Sequence, residues 1–100
     1  MEPIIEWTSE KWAALEGLAE EFGLSIDVEN AIHLQEGAEK KEIASIHEIG
    51  AENDIRIIPD YEKGNELLMA IGSQIFEAQD ASCGVPLQPH FWTGNSFVPC

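Results

Sequence analysis

Glu16, Glu20 and Glu21, followed by Glu48, Glu52, Asp54, Asp60 and Glu62, are the residues whose type and grouping point most directly to chemistry. Carboxylates in such number bind cations, including the lysine and arginine side chains with which other proteins hold phosphate. Nineteen Asp and Glu stand against five Lys and Arg, a net charge of −14 in 100 residues. Solubility asks for a magnitude of only about 2 to 8 in a small domain. With a Debye length of about 8 Å at physiological salt, the self-repulsion falls to a couple of kcal/mol, so stability is expected to rise with ionic strength. Glu16 and Glu20 are one helical turn apart, a like-charge spacing that a basic partner relieves.

Other chemistries find less support. His33, His47, His90, Cys83 and Cys100 are metal-ligating types, but zinc sites use pairs two to five residues apart and none of these has that spacing. No metal or cofactor is expected. A nucleophilic Cys83 would need an electropositive setting, which a chain this acidic opposes. No glycine-rich phosphate loop is present, and no carboxylate pair stands out as a general acid and base. The chain is therefore not expected to be an enzyme.

Nucleic acid and anionic membrane are themselves polyanions and are excluded as direct ligands. The partner expected is a basic protein that handles nucleic acid, bound and inhibited by carboxylates standing in for a phosphate backbone. The chain is similar in size and charge to the small acidic inhibitors encoded by phages and mobile elements, such as anti-CRISPR proteins, a resemblance of bulk properties without a shared motif. The alternatives are a homo-oligomeric assembly protein, a homodimer for example, built through the last helix and tail, and a small enzyme.

The elements that must position these residues follow from capping and periodicity. Thr8 caps a helix that Gly23 stops, with Trp12, Leu15, Leu18, Ala19 and Phe22 on one stripe and Trp7 placed to pack on Trp12. Leu24 to Val28 alternates as a strand, while residues 31–36 fit a strand or a helix. Ile43, Ile46 and Ile49 predict a helix over 39–49 ended by Gly50. Residues 54–58 read as a strand, and residues 66–79 as a broadly apolar helix capped by Asn65.

Residues 81–100 contain no Asp, Glu, Lys or Arg, and Pro86, Pro89 and Pro99 exclude a long helix there. The chain thus divides into an acidic folded domain, 1–80, and an uncharged segment, 81–100. Phe91, Trp92 and Phe97 of that segment are expected to pack on the domain or to supply an apolar interface. The fold expected is a small compact α+β domain, mostly helical, with about three helices and a small sheet; an all-α bundle is the alternative. An acidic N-terminus and the lack of a transmembrane-length apolar run predict a cytoplasmic protein, with Cys83 and Cys100 as thiols.

Overall fold

A computed structural model describes residues 7–49, 52–58, 64–77 and 87–99. Its elements are α1 (Ser9–Phe22), β1 (Leu24–Val28), β2 (Ile32–Glu36), β3 (Lys41–Ile49), β4 (Glu52–Ile57), α2 (Gly64–Ile75), β5 (Leu87–Trp92) and β6 (Phe97–Pro99). The strands form one six-stranded sheet in the order β1-β2-β3-β4-β5-β6. Neighbours are antiparallel except β4 and β5, which are parallel and joined through α2.

The expected mostly helical fold is therefore overturned: among the described residues two helices and a six-stranded mixed sheet stand in place of three helices and a small sheet, and an all-α bundle is excluded. The decisive element is β3, where the isoleucine spacing predicts a helix. Register with β2 shifts beside Leu34 and Gln35, so that Leu34 faces Ala44 while Gln35 faces Glu42, and Ile43 is the extra residue of a bulge. Ile43, Ala44 and Ile46 are all buried as a result. A strand whose inward positions change phase in this way imitates the three-residue spacing of a helix, and β-branched isoleucine favours the extended form.

α1 forms as its caps dictate. The Thr8 side chain accepts from the Lys11 amide at 3.2 Å, and Gly23 ends the helix at φ 72°, a conformation glycine adopts without cost. Leu15, Leu18 and Ala19 are buried, and Trp7 stacks on Trp12 at 5.4 Å between ring centroids. α1 packs on β1 and on α2, while α2 lies over β4. Both helices cover one side of the sheet. That side supplies Ile32, Leu34, Ile46, Ile55, Ile57 and Leu87 to a core shared with Leu15, Leu18, Leu67, Leu68 and Ile71.

Residues 87–99 join the sheet as β5 and β6. Pro89 sits in β5 ahead of the pairing with β6, which runs from His90 to Trp92, so on that side its missing N–H leaves no ladder bond unmade. Among the described residues no helix is long and apolar enough to cross a membrane.

Candidate functional site

Alternation along the strands assigns every second side chain to the face without helices. Pairing aligns Asp27 with His33, His33 with Ser45, His47 with Asp54, Ser45 with Arg56, and Arg56 with His90. All three histidines of the chain thus share this open face with Arg56, one of its five basic residues. They are held by specific partners. His33 Nδ1 pairs with Glu42 Oε1, the Ser45 hydroxyl meets His47 Nε2 at 2.9 Å, and His33 and His47 meet edge to face at 6.4 Å.

Asp54 is the centre of the second half of this face. Its side chain is 4% exposed, lies 3.4 Å from Arg56 Nε through Oδ2, and approaches His90 Nδ1 to 2.5 Å through Oδ1. His90 Nδ1 also lies 3.0 Å from the Gln88 carbonyl, which can only accept, so Nδ1 carries the proton. The Asp54 and Arg56 contacts are charge contacts, because Asp54 Oδ1 and Arg56 Nε make no directed hydrogen bond. The Arg56 guanidinium lies over the Phe97 ring at 5.5 Å, and Phe97 stacks on Trp92 at 5.1 Å. Burial, and then the nearby Arg56 charge, hold His47 below its ordinary pKa of 6.5, against the opposing pull of Asp54. His47 is accordingly a neutral imidazole at neutral pH, able to accept a proton. Among the described residues no group of three ligating side chains converges on a point that could hold a metal ion.

The carboxylates singled out in the sequence are distributed otherwise than as one group. Glu16, Glu20 and Glu21 are exposed on α1, and Glu48 is exposed near the end of β3. Asp54 lies on the other side of the sheet from α1, buried against Arg56 and His90, so it is no part of an outward carboxylate surface. Glu52 opens β4; its side chain, together with Asp60, Glu62, Cys83 and Cys100, lies outside the described residues. The tail aromatics divide as well: Phe91 packs on the core beneath the helices, whereas Trp92 and Phe97 belong to the open face.

A different grouping emerges. Between Glu10 and Glu39 the chain carries eight carboxylates, Glu10, Glu16, Glu20, Glu21, Asp27, Glu29, Glu36 and Glu39, all exposed, and one basic side chain, Lys11. This stretch is α1, β1, β2 and all but the last residue of their turns, which lie together on the β1 side of the molecule; Lys40 ends the β2–β3 turn and Lys41 opens β3 opposite Glu36. Lys11 is itself occupied, with its ammonium 5.4 Å from the Phe76 ring centre. Five of these were not site candidates: Glu10 reads as a residue of the opening turn of α1, Asp27, Glu29 and Glu36 fall on a hairpin whose second strand fits a strand or a helix, and Glu39 reads as the start of the helix that is instead β3. The open-face histidines were missed because no short spacing links them. Their signal was alternation along β3, legible only once that segment is a strand.

No family model matches the chain, and no curated protein or solved structure does either.

Proposed function

We propose that the protein binds and inhibits a basic, nucleic-acid-handling protein in the cytoplasm, using the acidic end formed by α1, β1 and β2. The observation that carries this reading is the count of eight exposed carboxylates against Lys11 between Glu10 and Glu39. Such a surface attracts a lysine- and arginine-rich site at long range and raises the encounter rate. Each exposed ion pair contributes only about 0 to 1 kcal/mol, so tight binding also needs apolar burial. Asp54 is not among the contacts, since its charge is already engaged by Arg56 and His90.

The test is to isolate the partner and follow affinity and inhibition as salt rises from about 0.05 to about 0.5 M, across which screening shortens severalfold. Affinity should fall steeply, nucleic acid should compete, and the E16Q/E20Q/E21Q/D27N variant should bind at least about tenfold more weakly, a change of 1.4 kcal/mol. Affinity indifferent to salt and to these substitutions would remove the charge-mimicry step.

A further inference from the structure

The two outer edges of the sheet are protected differently. β6 is three residues long and ends at Pro99, features that keep an edge from accepting another strand. β1 is five residues long, contains neither proline nor lysine, and keeps an unbroken register with β2. Among the described residues no strand pairs with its outer side.

The direction of its backbone groups can be derived. The Glu29 amide donates to the Ala31 carbonyl at 3.1 Å across the mouth of the β1–β2 turn. Antiparallel pairs alternate between bonded and non-bonded, so Asp27 with His33 and Ser25 with Gln35 are the bonded pairs. The reach of Ser25 Oγ to the Gln35 carbonyl, 3.2 Å, agrees. The N–H and C=O groups of Leu24, Ile26 and Val28 therefore point away from the sheet. On the helix side Ile26 and Val28 remain half-buried, whereas their neighbours in β2, Leu34 and Ile32, are fully covered. Both the ladder and the apolar layer stop one strand early.

Charge selects the occupant. Asp27 lies on β1, Glu29 and Glu36 close its two ends, and Glu20 and Glu21 stand just before Gly23. A second copy of this chain added antiparallel would face Asp27 with Ser25 but bring two such acidic edges together, and repulsion between like charges opposes the pair. Given the acidic end assigned above as the partner-binding surface, we propose that β1 takes an extended segment of the basic partner as a seventh strand. That segment carries lysine or arginine at alternate positions, facing Asp27 and Ser25, and apolar residues between them that complete the cover of Ile26 and Val28.

The probe is a short synthetic peptide of alternating lysine and valine, added to the full chain at low salt while backbone amide exchange is read residue by residue. Binding should slow exchange at Leu24, Ile26 and Val28 by at least about tenfold and leave Ser25 and Asp27, already bonded inward, unchanged. A peptide with proline in place of valine keeps the charge but lacks the alternate N–H groups, and should give no such protection. The D27K/E29K variant should lose the lysine–valine peptide and bind one of alternating glutamate and valine. Equal binding of the proline peptide, or a bound lysine–valine peptide that leaves the three outer amides unprotected, overturns strand addition while the acidic surface stands. Failure of both lysine peptides to bind overturns the acidic surface and this inference together.

Discussion

The two faces of the sheet are built from the same strands and are both substantially covered, yet by opposite means. On the helix side Ile32, Leu34, Ile46, Ile55, Ile57 and Leu87 are removed from water beneath α1 and α2, and the gain follows from apolar transfer. On the open side His33, Ser45, His47, Asp54, Arg56 and His90 cover one another, and burial there is tolerable only because each polar group meets a neighbour. The first face depends on volume and the second on charge state and partner identity. A perturbation of one kind should therefore damage one face and spare the other.

The largest effect expected is at the centre of the apolar face. Ile55→Ala removes buried methyl groups and should cost about 2 to 5 kcal/mol in denaturant unfolding at any pH. A cost that varied with pH would blur the distinction. Asp54→Ala on the open face leaves Arg56 and His90 without their carboxylate and should cost about 1 to 3 kcal/mol. A cost under about half a kcal/mol, the level of an ordinary surface change, would mean that the contacts around Asp54 contribute little.

pH separates the faces more sharply. Burial and Arg56 lower the His47 pKa, so the folded chain binds a proton there less readily than the unfolded chain does. The stability this favours is complete above about 6.5 and is lost as pH falls through the lowered folded pKa. Unfolding titrations should show His47→Gln losing less stability below pH 6.5 than the wild type. Identical pH profiles would refute the assignment. The smallest effect belongs to neither face. Gly17 lies on the outer side of α1 with nothing within 4 Å of where a Cβ would sit, so Gly17→Ala should stabilise by about 0.5 to 1 kcal/mol, measured as a higher denaturation midpoint.

Legibility followed how locally each element is specified. α1 could be read because Thr8, Gly23 and the apolar spacing are all local signals, and the end of the helix at Gly23 matches them. β1 was legible from alternation. α2 was legible as a helix, although it begins at Gly64 instead of being capped by Asn65. β3 was not, because the residue inserted at Ile43 depends on register with β2, which no local pattern records. β5 and β6 were hidden by Pro89 and Pro99, whose tolerance rests on which side of each strand is paired. The same reasons govern the site. The exposure of Glu16, Glu20 and Glu21 follows from the α1 stripe alone. The burial of Asp54 depends on its neighbours on the open face, for alternation beside Ile55 predicts a solvated position, whereas Arg56 two residues along β4 and His90 on β5 close over it.

The parallel pairing of β4 with β5 bears on the order in which the chain assembles. β1 to β4 form a meander in which each strand meets the one before it across a tight connection, so those contacts form early. Parallel pairing must wait for roughly thirty residues of intervening chain, α2 included, to be drawn in, and closing that span carries an entropic cost before any contact repays it. β5 is expected to dock last. Stopped-flow kinetics should show Leu87→Ala accelerating unfolding with little change in the folding rate, while Ile46→Val in the meander slows folding. The reverse pattern would place the nucleus at the C-terminal strands.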